Sequence, residues 1–130
     1  MARARLLVVD DEPGMLEVSA DTLRQLPDVE IETAQDSREA ADRLAREDWD
    51  LLVTDMRMPG LSGIDLLRRA RECDASLPVL MVTAYPTVET AVTSMKLGAI
   101  DYITKPFLPE DFLATVSRLL EGRRLGQENR

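Results

Sequence analysis

Apolar residues along this chain fall into two alternating patterns: short unbroken runs, and longer stretches in which they recur every three to four positions. Arg5–Val9 (RLLVV) is the first run. Pro13 then suits the first turn of a helix, where its missing N–H costs nothing, and Met15, Leu16, Ser19, Leu23 and Leu26 follow at helical spacing. Pro27 and Asp28 end that helix, and Val29–Ala34 (VEIETA) alternates as a strand near a sheet edge does. Asp36 with Glu39 makes a capping-box-like start to a second helix with Ala40, Ala41, Leu44 and Ala45 on its apolar face and Trp49 packing its end.

Leu51–Thr54 is apolar without alternation, the pattern of a strand buried on both faces of a parallel sheet, and it stops abruptly at Asp55. A turn over Met58–Gly63 leads into a helix capped by Ser62, with Ile64, Leu67 and Ala70 inward. Leu77–Val82 (LPVLMV) is the fourth strand and ends at Thr83. Thr87–Leu97 reads as a helix with Val88, Ala91, Val92 and Met95 on one face, closed by Gly98. Ala99–Thr104 is the fifth strand and ends at Lys105; Pro109 opens a last helix through Phe112, Leu113, Val116, Leu119 and Leu120, after which the chain turns polar.

Five strands alternating with five helices predict an α/β fold, a doubly wound parallel sheet whose right-handed crossovers put every strand's carboxyl end on one edge. Flavodoxin-like sheets of this kind, (βα)5, run in the order 2-1-3-4-5, with a ligand crevice between the first and third strands. That edge would collect Asp10, Asp11, Asp55, Thr83 and Lys105 from four strands. Each Asp alone has a bland alternative, since aspartates cap turns and helices wherever strands end, and Lys105 could simply pair with one of them. Capping leaves the converging Thr83 unexplained.

Composition narrows the chemistry. The 130 residues suit one domain. A net charge of -8 repels phosphate backbones and anionic lipid, so direct nucleic-acid or membrane binding by this domain is not expected. No apolar run approaches the roughly 20 residues that cross a bilayer, and MARARLLVVD meets its acid pair too early for a signal peptide, so a cytoplasmic location is expected. The single cysteine, Cys73, has no role assigned. With no histidine anywhere, the usual acid/base catalyst and zinc ligand are missing, and chemistry rests on carboxylates, hydroxyls and lysine.

Three gathered carboxylates stay ionised near neutral pH only beside compensating cations. All-oxygen ligands suit Mg2+ or Mn2+. A carboxylate can also act as a nucleophile toward phosphorus, giving an aspartyl-phosphate. Asp55, alone at the centre, is the better nucleophile, whereas the neighbours Asp10 and Asp11 suit metal binding. Phosphoryl transfer needs positioning and charge neutralisation, which Lys105 and a hydroxyl donor at Thr83 can supply.

VVDDE at Val8–Glu12, TDMRMPGLSG at Thr54–Gly63, MVTAY at Met81–Tyr85 and DYITKPF at Asp101–Phe107 together resemble the receiver domains of two-component response regulators, over essentially the whole chain. The resemblance implies Asp55 as phospho-acceptor from a sensor histidine kinase, Asp10, Asp11 and the Arg57 backbone carbonyl as metal ligands beside it, and Thr83 and Lys105 as phosphoryl contacts. It further implies a cis Lys105-Pro106 bond, and a switch in which Tyr102 couples to the Thr83 hydroxyl. Such a domain assists its own phosphorylation and dephosphorylation without being an enzyme. DMRMPG, TAYPTVETAV and GAIDYITKPF are most similar to receivers of NtrC-like, sigma-54-dependent transcriptional activators. Leu119–Arg130 resembles the start of a helical linker, so residues 1–122 read as the receiver and 123–130 as a link to ATPase and DNA-binding output domains outside this chain, with a homodimer contact at the tail.

Three other readings compete. A dehalogenase-like phosphatase wants a second Asp two residues after the first, where this chain has Arg57. A dinucleotide-binding domain wants a Gly-rich turn where this chain has acidic DDEPG. A receiver-shaped module that signals without phosphate should have lost part of the acidic cluster, and this chain retains all of it.

Overall fold

The computed structural model describes residues 3–128, with side chains through Arg123. Strands β1 (Ala4–Val9), β2 (Val29–Ala34), β3 (Leu51–Asp55), β4 (Val79–Thr83) and β5 (Asp101–Thr104) alternate with helices α1 (Pro13–Leu23), α2 (Ser37–Arg46), α3 (Gly63–Cys73), α4 (Val88–Lys96) and α5 (Pro109–Glu128). All four pairings are parallel, in the order β2-β1-β3-β4-β5. The expected order therefore holds. α5 passes through residue 122 without a break, and Asn129 and Arg130 lie outside the described residues.

Each sheet face has its own core. Leu6, Val8, Leu51, Val53, Leu80 and Val82 pack with α1 and α5 residues such as Leu23, Phe112 and Val116. Leu7, Val9, Leu52, Val79 and Met81 pack with Leu44, Leu66, Leu67 and Ala70 of α2 and α3. Burying a leucine or phenylalanine fully is worth about 1.5–3 kcal/mol, so these two layers dominate the stability. The central strands are apolar on both faces because both faces are covered.

Local signals act where the sequence placed them, with adjustments. Asp36 caps α2 by accepting from the Arg38 N–H, and the reciprocal box forms instead at α3, where Ser62 and Asp65 exchange bonds. Ala45 turns outward and Leu66 inward. Gly98 closes the turn after α4 at φ 99°, and Trp49 is buried with its indole N–H on the Arg43 carbonyl at 3.0 Å.

α4 departs from the expected packing. Val88, Val92 and Met95 are 81%, 45% and 51% exposed, and the buried residue of this helix is Ser94. Its inner side runs through the partly buried Thr90 and Ala91 to Ser94 and Leu97. The Ser94 hydroxyl is satisfied by the Thr90 carbonyl at 2.8 Å. No described helix is long and apolar enough to cross a membrane.

Candidate functional site

Strand parity decides which groups meet at the carboxyl edge. Successive strand side chains point to opposite faces, and Leu6, Val8, Leu51, Val53, Val82 and Ile103 share the face covered by α1 and α5. Continuing the alternation brings Asp10, Asp55 and Lys105 to that same side. Val79, Met81 and then Thr83 have the opposite parity, which they share with Tyr102.

The distances follow. Lys105 Nζ donates to Asp10 Oδ2 at 2.7 Å and lies 3.5 Å from Asp55 Oδ2. The side chains of Asp10, Asp55 and Lys105 are only 7%, 13% and 12% exposed. Asp10 Oδ1 accepts the Glu12 N–H at 3.0 Å, so this residue also steadies the entry to α1. Asp55 Oδ1 accepts the Met56 N–H at 2.8 Å. Carboxylate oxygens of Asp10, Asp11 and Asp55 all fall within 4.8 Å of one another, so the cluster could hold a metal ion.

Burial pushes the Asp55 pKa up and the charge of Asp10 adds to this, while Lys105 and the N–H groups of Met56 and Arg57 pull it down without prevailing. For Lys105, burial works to lower the pKa, but the hydrogen bond to Asp10 and the charges of Asp10 and Asp55 outweigh it and hold the ammonium above its ordinary value. One ammonium against three carboxylates leaves two negative charges without a local partner.

The cluster opens into a cavity of about 420 Å3 lined by Asp11, Asp55, Arg57, Tyr85, Lys105 and Pro106, among others. The Lys105-Pro106 bond is cis, as the resemblance implied. Arg57 stacks its guanidinium 4.8 Å from the Tyr85 ring, directing its charge toward the ring at the cavity mouth. Tyr85, Glu12 and Met15 also line the cavity, although the sequence marked them only as members of motifs or of a helix face and gave them no role at the site. The first residue of α3 is also part of the frame: a Cβ on Gly63 would collide with the Asp55 carbonyl oxygen and sit 2.9 Å from Met56 Cα.

Thr83 and Tyr102 sit behind the cavity. Thr83 is buried, and its hydroxyl accepts the Tyr85 N–H at 3.0 Å. The Tyr102 hydroxyl is 3.1 Å from Thr90 Oγ1, so its partner here is on α4 rather than Thr83.

Residues 6–117 match the response regulator receiver domain. The chain belongs to this family. Accepting a phosphoryl group in two-component signalling is what the family does. The receiver is 40% identical over 130 residues to the C4-dicarboxylate transport transcriptional regulatory protein DctD of Pseudomonas aeruginosa, covering 99% of this chain and 28% of that protein. It is 42% identical over 106 residues to the response regulator protein PilR of the same organism, covering 82% of this chain and 24% of that protein. It thus spans about a quarter of the length of these relatives. Among solved structures, a CheY-like receiver domain protein from Methanospirillum hungatei superposes with a TM-score of 0.91 at 29% identity, covering 96% of this chain and 99% of that one.

Proposed function

We propose that Asp55 accepts a phosphoryl group from the phosphohistidine of a sensor histidine kinase, or from a small acyl phosphate, and that the modified receiver switches an attached or partner output domain. The observation that carries this reading is the partly compensated cluster: a central carboxylate with Lys105 at 3.5 Å and two further acids in reach of one ion. An Asp55 carboxylate oxygen attacks phosphorus, and the P–N or P–O bond of the donor breaks, its electron pair leaving with the donor. Lys105 balances charge on the phosphoryl oxygens from one side. Asp10, Asp11, Asp55 and the Arg57 carbonyl would hold Mg2+ or Mn2+ on the other; an oxygen-only donor set with a two-charge deficit fits a hard divalent cation. When bound, that ion supplies neutralisation of the phosphoryl oxygens. The domain works as an acceptor that assists its own modification and its reversal, and it does so in the cytoplasm.

Thr83 then becomes the switch. Its hydroxyl accepts from Tyr85 and retains a proton to donate, so a phosphoryl group carrying about -1.5 to -2 charges can draw it forward. Tyr102 shares its face of the sheet and would leave Thr90 to occupy the space behind it. The face made by α4, β5 and α5 changes with it. The exposed Val88, Val92 and Met95 support this face as the place of a homodimer or output contact. Relatives named as transcriptional regulators, with the NtrC-like wording of the motifs, support transcription as the output, reached from the receiver (1–122) through a linker beginning near residue 123 to ATPase and DNA-binding domains outside this chain. Transfer of labelled phosphate from a phosphorylated sensor kinase tests the assignment: wild type takes up label and Asp55→Asn does not. Stoichiometric labelling of Asp55→Asn at a residue outside the acidic cluster would overturn it.

A further inference from the structure

The last helix leaves the core before it ends. Leu119 is buried, Leu120 is partly covered, and Glu121 and Gly122 are exposed. Arg123 comes next, and its side chain is only 11% exposed. It reaches the amino edge of the sheet, at the far end from Asp55. There Nη2 donates to Asp74 Oδ2 at 2.8 Å and to the Trp49 carbonyl oxygen at 3.1 Å, and Nη1 donates to Ser76 Oγ at 2.8 Å. Nε, shut off from solvent without a hydrogen bond among the described residues, lies 3.8 Å from Asp50 Oδ1.

The receiving groups are themselves held in place. Asp50 Oδ2 accepts the Arg5 N–H at 2.8 Å, and Asp74 Oδ1 accepts from Ser76 N and Oγ, each at 2.9 Å. The Trp49 ring is flanked by the guanidinium groups of Arg5 and Arg43 at 4.3 and 5.2 Å. Arg71, the other cation beside Asp74, is occupied by the carbonyls of Ala75 and Leu77. Burial works to raise the Asp74 pKa, but the hydrogen bonds from Arg123 and Ser76 bring it down to about 2. Two carboxylates and a carbonyl thus converge on one guanidinium. Gly122 weakens the helix just where it loses its apolar support, so an outside anchor matters there. Arg123 also lies past residue 117, where the match to the receiver family ends.

We propose that Asp50, Asp74 and the Trp49 carbonyl form a docking notch for Arg123, a latch that fixes the last turns of α5 to the receiver body and sets the direction in which the chain leaves it. The latch holds Arg123 against the body, so a linker that begins near this residue leaves from a fixed point. It does not involve the acidic cluster, so it stands or falls separately from the phosphorylation reading.

Amide hydrogen exchange on the full chain tests it, comparing wild type with Arg123→Gln, Asp74→Asn and the double variant; Gln is close to Arg in helix propensity. Amides of residues 121–128 should exchange on the order of tenfold faster in either single variant, as expected for losing hydrogen bonds to charged groups. Those of residues 112–119 should be unchanged, and the double variant no faster than the faster single one. Equal exchange at residues 121–128 in wild type and Arg123→Gln would overturn the latch. So would an acceleration spread evenly along α5, which would mean general destabilisation instead.

Discussion

Asp55 is held where an anion is costly, between a second acid and a lysine already committed to that acid. Its raised pKa means that its charged form is worse off folded than unfolded, so at neutral pH the carboxylate works against the fold. Asp55→Asn, which can keep the Met56 N–H bond, should therefore raise the metal-free melting temperature. Mg2+ should stabilise wild type and leave Asp55→Asn much less affected. A thermal melt of the two proteins, with and without Mg2+, checks both statements. A lower metal-free melting temperature in Asp55→Asn would show that this acid is held by favourable contacts rather than kept under electrostatic stress.

Among the elements, the central strands β1, β3 and β4 were legible because a strand buried on both faces announces itself as an apolar run. The sequence brought Asp10, Asp55 and Lys105 to one edge, and the structure adds that they share one side of it. α4 was not legible, because helical spacing shows which residues share a side and not which side faces the sheet. Val88, Val92 and Met95 do share a side, and it is the outer one. The Arg123 contacts were hidden for another reason: the partners are 47 to 74 positions away in the chain, and no local pattern encodes such a pairing. These differences carry stability predictions. Val92→Gln should cost no more than about 0.5 kcal/mol in urea denaturation, as a surface change does. Gly63→Ala should cost about 3 kcal/mol, because its methyl group meets backbone atoms of Asp55 and Met56 that belong to β3 and the turn after it. The reverse ranking would mean that α4 buries its apolar face after all.

At the scale of the whole molecule, the proposed acceptor chemistry and the proposed switch residues have opposite parity on the sheet. Asp10, Asp55 and Lys105 follow the α1 and α5 face; Thr83 and Tyr102 follow the other, with Thr90 of α4 bonded to Tyr102. Thr83→Ala should accordingly still take up phosphate at Asp55 while losing phosphorylation-dependent association, read by sedimentation of the full chain. Equal association of the two phosphorylated proteins would remove Thr83 from the switch and leave the acceptor chemistry standing.

The central claim, that Asp55 is the phospho-acceptor of a cation-dependent site, is tested most directly by intact-mass spectrometry after incubation with acetyl phosphate, followed by mapping of the modified peptide. Wild type should gain one phosphoryl mass in the presence of Mg2+ and none when the ion is chelated, with the modification on Asp55 and no gain in Asp55→Asn. A wild-type protein that stays unmodified with Mg2+ present, or that carries the phosphoryl group on another residue, would contradict the account.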